Sequence, residues 1–190
     1  MARPTPRRPA TTAYRDRASL PKLGAEIPPA PVVLDTNVII NALAGREPPV
    51  LNALLQNLDQ QFIAAPTLAE LTWPLGRLDP HHPGTARVLA VYRAMLTRID
   101  PARVLVPTEA NWRTAGEHAG HAARIIAGGG RSHLTAFDRV ELVSDALTAI
   151  LASAAGLVII TEDADFDILA RLVPKLKVLF YDRVTAHRAR

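Results

Sequence analysis

The chain has 190 residues, 48% of them hydrophobic and 21% charged, a balance that fits a globular fold built on one buried core. It contains no cysteine, which excludes disulfides and thiolate metal sites and fits a reducing, cytoplasmic setting. Its net charge of +4 resides in residues 1–31, where Arg3, Arg7, Arg8, Arg15, Arg17 and Lys22 face only Asp16 and Glu26; the remainder is neutral and excludes a uniformly basic surface.

Residues 1–31 also hold seven of the sixteen prolines and show no apolar periodicity. This composition predicts a basic, flexible arm, and it lacks the apolar run of a secretory signal. The body, residues 32–182, opens on Val32-Val33-Leu34-Asp35, a short apolar strand ending on an acid. A helix is expected over 38–44, stopped by Gly45, and a second over 49–58 after Pro48-Pro49. A strand over 61–65 leads to a helix over 67–75 that breaks near Pro74.

The loop 76–84 is rich in Pro, Gly and Asp. Helix 85–99, strand 104–106 and a helix to residue 127 follow, and Gly128-Gly129-Gly130 interrupts the chain before a helix over 138–155. Residues 146–161 carry no charge and read as the end of a buried helix, a turn at Gly156 and a buried strand. The run is shorter than the roughly 20 residues that span a bilayer, so no membrane segment is expected. A helix over 166–172, a strand over 178–181 and a basic tail over 183–190 complete the chain. Strands alternating with helices predict an α/β fold, a mostly parallel sheet covered on both faces, with ligands beyond the carboxyl ends of the strands.

Asp35 and Asp163 fall at or just past strand ends, while Glu70 and Asp145 lie on helices that can reach the same edge. Each has a plainer role: Asp35 and Asp163 as helix caps, and Thr67 with Glu70 as a capping box. Asp145 could pair with an arginine, but its helix offers only Arg139 nearby, and it borders the charge-free run, where an uncompensated carboxylate is costly. Together the four repel one another unless a cation joins them, and an oxygen-only donor set favours Mg²⁺ or Mn²⁺. Such a cluster suits hydrolysis of a phosphodiester.

At these residues the sequence resembles the PIN-domain ribonucleases, and within them the VapC-type toxins of bacterial toxin–antitoxin systems. The matching stretches are Val33-Leu34-Asp35-Thr36-Asn37-Val38-Ile39-Ile40, Ala69-Glu70-Leu71, Asp145-Ala146-Leu147-Thr148-Ala149 and Ile160-Thr161-Glu162-Asp163-Ala164-Asp165-Phe166. The resemblance covers residues 32–182 and leaves out the arm. It implies a three-layer α/β/α fold, Mg²⁺- or Mn²⁺-dependent cleavage of RNA, a homodimer and a cognate antitoxin. It places the metal-binding and catalytic acids at Asp35, Glu70, Asp145 and Asp163, with Asp165 as a further metal acid and Asn37 and Thr161 as polar residues of the site.

Two other functions fit parts of the pattern. A haloacid-dehalogenase-like phosphohydrolase also opens on an aspartate after a strand, but it wants an acid where Asn37 stands. A non-catalytic module that binds RNA or protein could carry the same acids as structural groups. His118 with His121, and His81 with His82, are spaced to share a metal but lack a third ligand. Trp73 and Trp112 are expected in the core, and Arg124, Arg131 and Arg139 could line an RNA path or simply face solvent.

Overall fold

The structure is a computed structural model and describes residues 14–24, 31–56, 61–128 and 135–183. Five strands form one sheet: β1 Val32–Leu34, β2 Gln61–Ala64, β3 Val104–Leu105, β4 Val158–Thr161 and β5 Lys177–Phe180. Seven α-helices are present among the described residues: α1 Thr36–Leu43, α2 Pro49–Leu55, α3 Ala65–Arg77, α4 Thr85–Leu96, α5 Glu109–Ile126, α6 Ala136–Ala154 and α7 Asp165–Leu172.

All strand pairs are parallel and the order is β3-β2-β1-β4-β5. Strand β1 is central, with Val33 opposite Phe62 on one side and Ile159 on the other. Its residues are buried on both faces, which is why it reads as an unbroken apolar run and not as an alternating one. Alternate strand residues then feed two cores. Val33, Ile159 and Phe180 pack with Ala115, Ala119, Ala146 and Phe166 of α5, α6 and α7. Val32, Leu34, Val158 and Ile160 pack with Val38, Leu51 and Leu54 of α1 and α2. These are the three layers expected of the α/β/α fold.

The strand order has one consequence for function. The sheet grows from β1 through β2 to β3 in one direction and through β4 to β5 in the other. The connections therefore diverge between β1 and β4, and a crevice opens beyond their carboxyl ends. Asp35 follows β1 directly, and Glu162 and Asp163 follow β4.

Several expectations are corrected. Helix α3 begins at Ala65, directly from β2 and with a proline in its first turn, so Thr67 lies inside the helix and the proposed capping box with Glu70 does not form. The helix also continues through Pro74 to Arg77; the proline removes only one backbone donor, that facing the Glu70 carbonyl. Helix α6 starts at Ala136 rather than 138, because Thr135 and Asp138 form a capping box two residues earlier. Trp73 and Trp112 are 67% and 52% exposed, on helix faces that no described element covers. Gly129 and Gly130, Arg131 and the tail from residue 184 lie outside the described residues.

The largest correction concerns the arm. Residues 14–24 are docked on the body, with Leu20 and Leu23 buried, one in each core. Lys22 makes a parallel bridge to Phe180, so this strap extends the sheet edge at β5. The Arg15 side chain and backbone both bind Asp167, which is fully buried: Nε to Oδ1 at 2.7 Å and N–H to Oδ2 at 3.2 Å. Arg17 donates to Asp182 and to the carbonyls of Glu162 and Tyr181, and Lys22 pairs with Asp182. Prolines and arginines had suggested a solvated segment, but these arginines are consumed by acids and carbonyls that sequence position could not associate with them. Residues 1–13 and 25–30 lie outside the described residues.

Burial alone raises the Asp167 pKa, but the Arg15 hydrogen bonds and the charges of Arg15 and Arg171 outweigh it and hold the carboxyl below its ordinary value. Arg15→Ala is therefore expected to lower stability by about 1–3 kcal/mol in urea unfolding at neutral pH. A carboxylate with a depressed pKa stabilises only while ionised, so the deficit shrinks as pH falls through that pKa. A deficit that persists undiminished at acid pH would count against the ion pair as its source.

Candidate functional site

The candidate acids converge on the crevice between β1 and β4, each by a different local device. Asp35 is the N-cap of α1, and its Oδ1 accepts from the Thr36 N–H at 2.7 Å. Its Oδ2 accepts from the Thr161 hydroxyl, also at 2.7 Å. Only 6% of Asp35 is exposed. Asp35 thus caps α1 while standing near Asp163 and Glu70.

Thr161 ends β4 and joins two acids. While its hydroxyl donates to Asp35, the same oxygen accepts from the Asp163 N–H at 2.9 Å. Asp163 in turn accepts from the Asp165 N–H at 2.9 Å, which fixes the turn leading into α7. Asn37 is half-buried in the first turn of α1. With Asp163, Arg17 and Arg183 it lines an open cavity of about 480 Å³.

Glu70 is exposed on α3 and is held by two hydroxyls. Thr36 donates to Oε2 at 2.5 Å, and Ser144 of α6 donates to Oε1. Freed from the capping role, Glu70 spans from α1 to α6. Asp145 lies next to Ser144 on α6, and none of the described residues donates a hydrogen bond to it. Its pKa is raised well above the ordinary value, first by burial and then by the charges of Asp35, Asp163, Glu70 and Asp165. Asp35 is pushed up to about 7, mainly by burial and also by Asp163 and Glu70, although the Thr161 and Thr36 hydrogen bonds oppose the shift.

Burial and the Asp163 charge also raise Asp165, against a hydrogen bond from the Tyr14 hydroxyl at 2.6 Å. Glu141, one helical turn before Asp145, is raised by burial and by the charges of Asp138, Glu70, Asp163 and Asp165. Thr36, Ser144, Tyr14 and Glu141 were not singled out from sequence. Glu141 could have been found, since four residues before Asp145 is the same helix face. Thr36 and Ser144 adjoin named acids, but nothing local marks them as partners of Glu70. Tyr14 is 151 residues from Asp165 and has no sequence signal.

The donor set is oxygen-only and its charges are mutually repulsive, which suits a hard divalent cation such as Mg²⁺ or Mn²⁺. Among the described residues no three acids or histidines are already arranged around one ion position. Oxygens of Glu70, Asp35 and Asp165 accept from the hydroxyls of Thr36, Ser144, Thr161 and Tyr14. His118 and His121 lie edge to face with ring centroids 6.5 Å apart, and the buried Nδ1 of His118 has no hydrogen-bond partner among the described residues. In the loop, His82 accepts from the Gly84 N–H and serves the turn.

A family model described as PIN domain matches residues 32–172. Among solved structures, the chain is similar to VapBC2 from Rickettsia felis bound to a promoter DNA fragment, with 17% identity and a TM-score of 0.51, over 80% of this chain and 98% of that one. DNA-bound VapBC from Salmonella typhimurium is similar at 20% identity and a TM-score of 0.51, over 80% and 98% of the two chains. FitAcB from Neisseria gonorrhoeae is similar at 20% identity and a TM-score of 0.51, over 78% and 96%. At these identities the likeness is one of fold. None of the curated proteins matches the chain significantly in sequence.

The raised acids have a measurable effect on stability. Asp35 and Asp145 bind protons more tightly in the folded than in the unfolded chain. Metal-free stability is therefore expected to be greatest in mild acid and to fall as pH rises from about 4 through about 7. Asp145→Asn removes one of the repelling charges, so its melting temperature in chelator should exceed that of wild type at pH 8 and converge with it near pH 4. A variant that unfolds instead would make Asp145 a structural residue.

Proposed function

The chain belongs to the PIN-domain family, and on that premise we propose that it is a metal-dependent endoribonuclease that hydrolyses RNA phosphodiester bonds. The observation that carries the reading is Asp145, a carboxylate without a hydrogen-bond donor among Asp35, Asp163, Glu70 and Asp165 at the crevice between β1 and β4. A purely structural acid in such a position would be paired with a cation or removed.

In this reading Asp35, Glu70, Asp145 and Asp163 hold Mg²⁺ or Mn²⁺, with Asp165 beside them. The bound ion supplies Lewis acidity toward a phosphate oxygen and lowers the pKa of water. The protein's own residues do the rest. Thr161 fixes Asp35 and the backbone of Asp163 with one hydroxyl, so the two strand-end acids keep their spacing. Thr36 and Ser144 hold both oxygens of Glu70, which fixes the α3 acid to α1 and α6. Asn37 and Arg183 rim the cavity beside Asp163 and can receive the flanking backbone.

We further propose the toxin role of a toxin–antitoxin pair, with the chain acting in the cytoplasm as a homodimer that a cognate antitoxin neutralises. The fold likeness to VapBC and FitAcB structures supports this reading. A groove of about 650 Å³ beside Leu34, Ile39, Ile63 and Met95, edged by Glu47 and Arg98, offers an apolar seat for such a partner. No described helix is long and apolar enough to cross a membrane.

Purified protein is expected to cut cellular RNA with Mg²⁺ or Mn²⁺ and to stop in chelator. Asp35→Asn should lose roughly 100-fold or more in rate while staying folded, as expected when one group of a charge-stabilising site is removed. Folded, antitoxin-free protein that binds RNA but cuts it under neither metal would replace this reading with that of a non-catalytic RNA-binding module.

A further inference from the structure

The strap residues nearest the acids form a paired clamp. Tyr14 and Arg15 are adjacent in sequence, and Asp165 and Asp167 are two apart in the first turn of α7. The Tyr14 hydroxyl donates to Asp165 Oδ1 at 2.6 Å, while Arg15 binds both oxygens of Asp167. Because the Arg15 backbone N–H is itself one of these donors, the position of the Tyr14 backbone is tied to α7. One residue pair farther on, Arg17 donates to the Glu162 carbonyl at 2.8 Å and so holds the other end of the same turn. The strap therefore staples the acidic turn 162–167 at three points.

These contacts differ in kind. Asp167 is fully buried and its two oxygens are consumed by arginine, so that contact anchors the strap. Asp165 is partly exposed and belongs to the acid cluster. Its Oδ1 is occupied by Tyr14, and no described residue donates to its Oδ2, which remains available. The Asp165 N–H meanwhile binds Asp163, so the orientation of Asp165 and that of Asp163 are coupled through one turn.

We propose that Tyr14 is a positioning residue of the acid site, its hydroxyl fixing the rotamer of Asp165 so that the second carboxylate oxygen is held ready for a divalent cation. This rests on the metal-dependent reading of the site given above. It makes the strap, which lies outside residues 32–172 matched by the family model, a working part of this chain's centre. The physical basis is general: a hydrogen bond to the far oxygen of a metal-binding carboxylate orients it and removes the entropy cost of ordering it at binding.

The test is Mn²⁺ binding to the full chain, by calorimetry and by the electron paramagnetic resonance signal of free Mn²⁺, for wild type, Tyr14→Phe and Lys22→Ala. Tyr14→Phe keeps the ring and deletes only the hydroxyl. Lys22→Ala loosens the strap at Asp182 and removes no bond to Asp35, Glu70, Asp145, Asp163 or Asp165. Tyr14→Phe is expected to keep its melting temperature and to bind Mn²⁺ about 10- to 100-fold more weakly, while Lys22→Ala binds as wild type does. Equal or tighter Mn²⁺ binding by Tyr14→Phe overturns the positioning role and leaves the metal reading intact. So does an equal loss in Lys22→Ala, because the hydroxyl is then not the cause. Wild type that binds no Mn²⁺ overturns the metal reading, and the positioning role with it.

Discussion

Carboxylates gathered at one edge of a parallel sheet repel each other, and partial burial strengthens that repulsion. The crevice between β1 and β4 concentrates five of them, and the organisation around it follows from how the protein manages the conflict. Hydroxyls are its chief means. Thr161 serves Asp35 and Asp163 at once, Thr36 and Ser144 divide the two oxygens of Glu70, and Tyr14 holds Asp165. A hydroxyl can donate to a carboxylate without neutralising it. The cluster thus keeps its negative potential while its members keep their places. Arginine at the same positions would satisfy the acids and extinguish the site.

An acid neutralised by arginine shows the contrast. Asp167 is buried and bound by Arg15, with Arg171 behind it, and its pKa lies below the ordinary range, whereas Asp35, Asp145 and Asp165 are raised. Two residues apart on α7, Asp165 and Asp167 have opposite electrostatic fates. The first faces the crevice and the second is drawn in by the strap. A structural ion pair thus sits directly beside a charge-rich centre, and the strap that makes the pair also reaches the centre.

Short-range sequence patterns are overridden at three places in this fold, each for a local cause. Thr67-Leu68-Ala69-Glu70 has the spacing of a capping box, but β2 passes into α3 without a break and Pro66 occupies the first turn, so the cap lies elsewhere. Trp73 and Trp112 sit among apolar neighbours in sequence, yet helical geometry turns them to solvent. Composition suggested a flexible arm over 1–31, but Leu20 and Leu23 find the two cores and Arg15 and Arg17 find buried or carbonyl partners. In each case a short-range pattern was valid in itself and was overridden by what the element met on packing.

The α/β class and the four central acids were legible in the sequence because they depend on local order. Apolar runs such as Val32–Leu34 and Val158–Thr161 mark strands buried on both faces, and an acid placed just after such a strand must emerge at its carboxyl end. Asp145 was legible for the same reason, as a charge bordering a charge-free helix. The strand order β3-β2-β1-β4-β5 was not, although it decides that Asp35 and Asp163 share a crevice. Nor were the bonds Thr36 to Glu70, Ser144 to Glu70 and Tyr14 to Asp165, which join residues 34, 74 and 151 positions apart. Local propensity and pattern reach only a few turns along the chain. Which hydroxyl meets which carboxylate is settled when the layers pack, and only the tertiary structure could decide it.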